Sequence, residues 1–337
     1  MSQTKRLGGQ TVEFSTKPTV LGCGVVVGPK EAEGPLGGEF PSTESDPMLG
    51  QASWEKAESM LFTKTVSECL KNSALSSGDV NYMVAGDLLN QCTASSFGLR
   101  DLGVPYLGIY GACSTMAEGL SLAAMLVDGG YANCVVAAAG SHFCSAEKQY
   151  RFPLEYGGQR PPGAQWTVTG CGAAAIGYGG KIQITHATTG RIEDMGIRDA
   201  NNMGAAMAPA FVSTVLAHFA DTGRTPNDYD LIVSGDLGAV GREIAAELLD
   251  KEGFAFGENY KDCGMMIFDS TKQDTHAGGS GCGCSASVLC GHLIPRMEQK
   301  KINRLLFVAT GALLSPTTTL QGETIPAIAH AVSLETL

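Results

Sequence analysis

Two stretches of this chain are near copies of each other, and that repeat limits the architectures open to it. Asp79-Val-Asn-Tyr-Met-Val-Ala-Gly-Asp-Leu88 returns as Asp228-Tyr-Asp-Leu-Ile-Val-Ser-Gly-Asp-Leu237, with the same acidic start, apolar run and Gly-Asp-Leu ending. Further on, Cys134–Gly140 matches Leu305–Gly311, and at that second, longer offset Cys113-Ser114 falls on Cys284-Ser285. Each copy also carries a helix-length segment before its first strand, Trp54 to Leu75 and Met203 to Phe219. The repeating unit therefore reads strand, helix, strand, Cys turn, helix, strand. Apolar runs without polar alternation, such as Val135–Ala139 and Leu305–Ala309, are what strands covered on both faces look like. Alternation with helices implies right-handed crossovers and a layered α/β fold. The expectation is a pseudo-twofold pair of such units, residues 1–183 and 184–337. The Gly-, Pro- and Ser-rich residues 28–53, and Glu147 to Thr167 with Pro153, Pro161 and Pro162, read as long surface loops.

Composition narrows the function. Hydrophobic residues make up 44% of the 337 residues and charged ones 17%, below the roughly 25% of an ordinary soluble domain, so much of the chain is expected to be buried. A net charge of −11 is the wrong electrostatic footprint for nucleic acid and is repelled by an anionic membrane surface. Eleven cysteines, an odd number scattered along a long chain, point to free thiols in a reducing compartment. The start, MSQTKRLGGQ, lacks an apolar signal segment. Leu120–Gly140 is interrupted by Asp128 and Asn133 and falls short of a membrane span. The expectation is no signal peptide, no transmembrane helix and at most peripheral membrane association.

In an open α/β sheet, ligands collect beyond the carboxyl ends of the strands. Cys113 belongs there: Pro105–Tyr110 reads as a buried strand, Gly111-Ala112 as a tight turn and Ser114 onward as a helix start. Free amides and the positive end of the helix dipole at such a point favour thiolate over thiol. Asp87 and Asp236 follow Gly at the ends of the two repeated strands, and His142 follows the strand Cys134–Gly140. A carboxylate after Gly can serve a ligand or bond turn amides, and a strand-end histidine can act in a site or cap backbone. Cys282 and Cys284 with Cys113 suggest a thiolate metal site, but adjacent small residues at a helix start are explained more simply by close packing. Gly22–Gly28 lacks the spacing of a nucleotide-binding glycine loop. His186, His218, His292 and His330 lie in or beside apolar segments and read as structural. No metal and no cofactor are expected.

With Gly-Ala-Cys-Ser opening a helix in the first copy and Gly281-Cys-Gly-Cys-Ser-Ala-Ser287 opening its mate, nearly the whole chain resembles the thiolase and ketoacyl-ACP synthase superfamily. That resemblance implies a layered αβαβα sandwich of two pseudo-twofold halves, with Cys113 at the nucleophile's position. Condensing enzymes of the superfamily need a His after the strand ending in Gly235 and an Asn or His at the second residue of the Gly281 turn. This chain has Asp236 and Cys282 there. A carboxylate repels a developing oxyanion and a thiol is a poor donor, so the electrostatic stabilisation that catalysis requires is missing.

Seven further motifs, Gly-Asp-Leu-Leu-Asn-Gln at 86–91, Gly-Ala-Cys-Ser at 111–114, Ser141-His142, Glu155-Tyr-Gly-Gly-Gln159, Ala206-Met-Ala-Pro209, Ala277-Gly-Gly-Ser-Gly-Cys282 and Ala309-Thr-Gly-Ala-Leu-Leu-Ser-Pro316, are similar to a sporulation family built on that fold. That family resemblance implies a catalytically degenerate protein that binds dipicolinic acid, as the acid or its calcium salt. It also implies membrane-embedded partners from the same operon, with the protein peripheral to the spore membrane or on its cytoplasmic side, and pairing into a homodimer. The ligand-binding residues expected are Asp87, Cys113, Ser114, His142, Arg151, Asp236, Cys282 and Cys284, with Arg160 an alternative to Arg151. Since the net charge opposes a dianion, affinity must come from local groups such as the Ser114 helix end and these arginines. Two carboxylates fall short of a Ca²⁺ shell. The alternative is an acyltransferase in which Cys113 is acylated and His142 is the base.

Overall fold

A computed structural model describes residues 5–150 and 160–337; Arg151 and the rest of 151–159 lie outside the described residues. The first repeat supplies β1 (Thr11–Glu13), β2 (Thr19–Val27), β3 (Tyr82–Gly86), β4 (Tyr106–Gly108), β5 (Val135–Ser141), β6 (Trp166–Thr167) and β7 (Gly170–Gly177). The second supplies β8 (Ile182–Thr189), β9 (Leu231–Ser234), β10 (Tyr260–Asp262), β11 (Gly279–Ser280), β12 (Arg304–Ala312) and β13 (Ala327–Thr336).

Strand order carries the duplication. The main sheet runs β10-β9-β12-β13-β8-β2-β7-β5-β3-β4, with β1 added on β8. Read outward from the middle, each side gives the same sequence of partners: two antiparallel pairings, then two parallel ones. The two sides meet at β2 and β8, which share only Thr19↔Gln183 and Val20↔Ile182. Residues 183 and 184, where the halves are expected to divide, lie inside β8.

Three separate apolar cores fix the layers. One lies between the first set of strands and the helix Trp54–Asn72. Another lies between the second set and the helices Met203–Thr222 and Gly238–Lys251. The largest surrounds Thr115–Asp128 and Cys282–Val288, the helices that follow the two cysteine turns. Helices, strands, helices, strands, helices is thus the stacking order. The outer helices start where side chains satisfy free amides: Ser53 accepts from the Lys56 N–H and Asn202 from that of Ala205. Met203–Thr222 is long and apolar enough to span a membrane by length and composition, and it is mostly buried in the core.

Three local expectations change. Tyr106–Gly108 is an edge strand rather than a buried one, with Leu107 and Tyr110 each 44% exposed, because among the described residues no strand pairs beyond β4. Within residues 28–53, Pro29–Ala32 is helical and Glu31 and Phe40 are buried. Within Glu147–Thr167, the first residues complete the helix Phe143–Tyr150, and Trp166–Thr167 pairs with Gly279–Ser280 as a two-stranded parallel ribbon.

Candidate functional site

The chain turns from β4 into its central helix through Ala112, whose φ of +50° is strained for a residue with a side chain. That turn fits against the end of β12. A Cβ at Gly311 would lie 2.2 Å from the Gly111 carbonyl oxygen and 3.2 Å from the Cys113 nitrogen, so only glycine permits the contact. Cys113 is buried there, and residues of the other repeat surround its sulfur. Sγ lies 3.9 Å from Ser280 Oγ, and the Asp236 carboxylate is close enough to act on the charge of the thiol. Asp236 Oδ2 accepts from Ser280 Oγ and from the Gly281 N–H, both at 3.0 Å, and Oδ1 accepts from Thr310 Oγ1 at 2.8 Å.

This arrangement reverses the expected ionisation. Burial pushes the Cys113 thiol well above its ordinary value, and the Asp236 carboxylate pushes it further. Burial raises Asp236 too, against the bonds it accepts. The dipole argument fails locally, since Ser114 spends both its N–H (3.0 Å) and its hydroxyl (2.6 Å) on the Gly111 carbonyl. The sulfur is held neutral.

The other expected residues are placed as follows. His142 Nδ1 accepts from the Cys144 N–H, so Nε2 carries the proton and donates to the Pro47 carbonyl at 2.8 Å; burial keeps the ring neutral by lowering its pKa. Neither nitrogen is left for Cys113. The other five histidines are bonded to Thr185, Thr188 and Tyr229, Asp274, Glu39, and the Gly190 N–H. Asp87 accepts from the Leu89 and Ser95 N–H groups and the Ser95 hydroxyl, holding a turn with Gln91 and Cys92 at positive φ. That turn borders a cleft of about 300 Å³ with Asn90, Thr93, Ser145 and Lys148 among its walls. Cys282 donates to the Gly140 carbonyl and Cys284 to that of Gly235, and burial raises both thiols. Among the described residues no cluster of His, Cys, Asp or Glu could hold a metal. Arg160 lies with its guanidinium 4.2 Å from the Trp166 ring centre and donates to the Asp274 carbonyl.

Sequence reasoning missed Ser280, Thr310 and Gln165. Gln165 Nε2 bonds the backbone oxygens of Asp236 and Gly279 and so locks the turn carrying the carboxylate. Ser280 and Thr310 sit inside Ala277–Cys282 and Ala309–Pro316, whose unusual composition was the available signal. Gly281, at φ +99°, opens the helix where a Cβ would meet Ser141 Oγ at 2.7 Å.

Among solved structures, 3-oxoacyl-[acyl-carrier-protein] synthase III from Aquifex aeolicus VF5 superposes with a TM-score of 0.59 at 14% identity, covering 94% of this chain and 99% of that one. Xanthomonas campestris OleA bound with cerulenin gives 0.61 at 14%, covering 96% and 97%. Both show that the fold is thiolase-like. In sequence, the chain is 46% identical over 332 residues to stage V sporulation protein AD of Bacillus subtilis (strain 168), covering 98% of each. The sequence model for stage V sporulation protein AD matches residues 8–335. The strained cysteine turn and the duplicated sheet are therefore features of a sporulation protein, and the chain belongs to the stage V sporulation protein AD family.

Proposed function

We propose that this chain is a catalytically degenerate thiolase-like protein that binds dipicolinate and assists its uptake into the developing spore. The observation that carries this reading is the pairing of Cys113 with Asp236. The thiolate is the nucleophile in acyl transfer, and here the thiol is buried beside a carboxylate that opposes its ionisation, while both nitrogens of His142 are engaged elsewhere. The cleft of about 300 Å³ beside the Asp87 turn has room for a small planar acid. Net charge of −11 leaves binding to local cations. Transfer then falls to membrane-embedded partners from the same operon, with this chain peripheral on the cytoplasmic side or at the spore inner membrane and calcium accompanying the ligand. Exposed Leu107, Tyr110 and Phe97 beside the unpaired edge of β4 support pairing into a homodimer. Calorimetry of the folded protein with dipicolinate is expected to give saturable heat, and its absence would reject the reading.

A second reading has one observation in its favour: the strained Ala112 presents Cys113 between strand and helix, as a nucleophile would be presented. Mass spectrometry after incubation with acyl-CoA separates the two. An adduct on Cys113 means acyl transfer; unmodified Cys113 removes it.

A further inference from the structure

Two helices meet at the wall of the cleft, and their side chains join in rungs. Glu55 and Glu58 lie three residues apart on Trp54–Asn72, and Ser145 and Lys148 three apart on Phe143–Tyr150, so each pair shares one helix face. In the outer rung Lys148 Nζ lies 2.5 Å from Glu55 Oε1, and that carboxylate has its cation. In the inner rung the Ser145 hydroxyl donates to Glu58 Oε2 at 2.5 Å, so the acid's partner is a hydroxyl and not a cation. Glu55, Ser145 and Lys148 line the cleft, whereas Glu58, only 1% exposed, reaches it through Ser145. Among the described residues nothing bonds its second oxygen, Oε1. Asp87, the other buried acid beside the cleft, is better provided. It accepts from the Leu89 N–H at 2.9 Å, the Ser95 N–H at 2.8 Å and the Ser95 hydroxyl at 2.6 Å.

Neighbouring buried carboxyls that oppose each other's charge divide their roles by the donors each receives. Three donors keep the charge on Asp87; a single donor leaves the proton on Glu58. Burial pushes Glu58 well above its ordinary value, and the Asp87 and Glu55 charges push it further against the Ser145 bond. On its inner side the Cys171 and Cys282 thiols, which feel the Glu58 charge, are kept neutral by burial. Of the three carboxyls around the cleft, Lys148 balances one and turn donors balance another. The protonation of the third therefore sets the charge that an entering ligand meets. Ionised, Glu58 holds the Ser145 hydrogen inward and repels an anion through a wall of low dielectric. Protonated, it can donate to Ser145, whose own hydrogen then turns to the His142 carbonyl, 3.0 Å away, or into the cleft. We propose that Glu58, acting through Ser145, is the specificity-determining acid of the cleft, which accepts an anionic ligand while Glu58 holds its proton and rejects it once that proton is lost. This rests on the dipicolinate reading above and adds that one proton accompanies the ligand. By reciprocity the bound anion strengthens the hold of Glu58 on its proton, so binding at high pH takes a proton from the buffer.

Calorimetry of the full chain with dipicolinate at pH 6, 7, 8 and 9, each in two buffers of different ionisation heat, counts the protons. Affinity is expected to fall at least tenfold from pH 6 to pH 9, while proton uptake rises toward one per ligand. Glu58→Gln keeps the shape of the neutral acid. It is expected to bind within threefold of the parent at pH 6, to hold that affinity to pH 9 and to take up no proton. Ser145→Ala removes the one donor to Glu58 and is expected to move the fall to higher pH. Glu31→Gln, altered at a buried acid away from the cleft walls, keeps the parent's slope; circular dichroism and thermal melts show which variants fold. Saturable heat with no proton uptake at any pH, or a Glu58→Gln profile as steep as the parent's, overturns the role of Glu58 and leaves the dipicolinate reading standing. If Glu58→Gln does not fold, a Ser145→Ala profile that falls at the parent's pH does the same. No heat at pH 6 overturns both.

Discussion

Cys113 is where residue-level reasoning was both most informative and most incomplete. Its place between a strand and a helix start was legible in Gly-Ala-Cys-Ser, and the absence of suitable partners was legible in Asp236 and Cys282. Its ionisation was not, because the carboxylate that governs it comes from the other repeat and no local pattern reports that distance. Of the two roles open to His142, it takes backbone capping in the structure, and its partner, the Pro47 carbonyl, lies far away in sequence. A thiol held neutral alkylates slowly, so iodoacetamide at pH 7.5 is expected to modify Cys113 far more slowly than a free peptide cysteine, read by peptide mass spectrometry. Asp236→Asn removes the charge that opposes the thiolate and is expected to speed modification severalfold. An unchanged rate would show that Asp236 does not set the acidity of Cys113.

At the level of elements, the repeated strands β3, β5, β9 and β12 were legible as apolar runs, and the outer helices as helix-length segments before the first strand of each copy. Among what escaped were short pieces whose structure depends on distant neighbours. Trp166–Thr167 is a strand only because Gly279–Ser280 lies alongside. Tyr106–Gly108 has the composition of a core strand but the position of an edge. The contact between the cysteine turn and β12 is equally non-local, and it gives a clear prediction. Gly311→Ala forces a methyl against the Gly111 carbonyl, which is backbone and has little room to yield. Overpacking of this kind costs about 1–3 kcal/mol. Urea unfolding is expected to show that loss; a change under about 0.5 kcal/mol would mean that the turn and β12 are not rigidly joined.

For the whole molecule, buried ionisable groups set how stability responds to pH. Glu31 is fully buried, and burial raises its carboxyl from an ordinary 4.5 to about 7. The fold keeps this proton while the unfolded chain releases it, so its contribution is present at low pH and is lost as pH rises from 4.5 to 7. Burial lowers His218 to about 3 and His330 to about 4; their contribution is present above 6.5 and lost as pH falls below it. Glu31→Gln isolates the first effect. Its stability relative to the parent is expected to improve by about 1.4 kcal/mol per pH unit across 4.5–7 and then level off. Denaturant unfolding at pH 5, 6, 7 and 8 measures this, and a gap that stays flat would contradict it. The two repeats meet in the main sheet along β8, through two residue pairs with β2 and three with β1, and Cys113 hangs from one repeat while its carboxylate, hydroxyl and amide neighbours hang from the other. A small tilt between the repeats would therefore register as a change in the acidity of a single sulfur atom, making that atom a built-in gauge of their alignment.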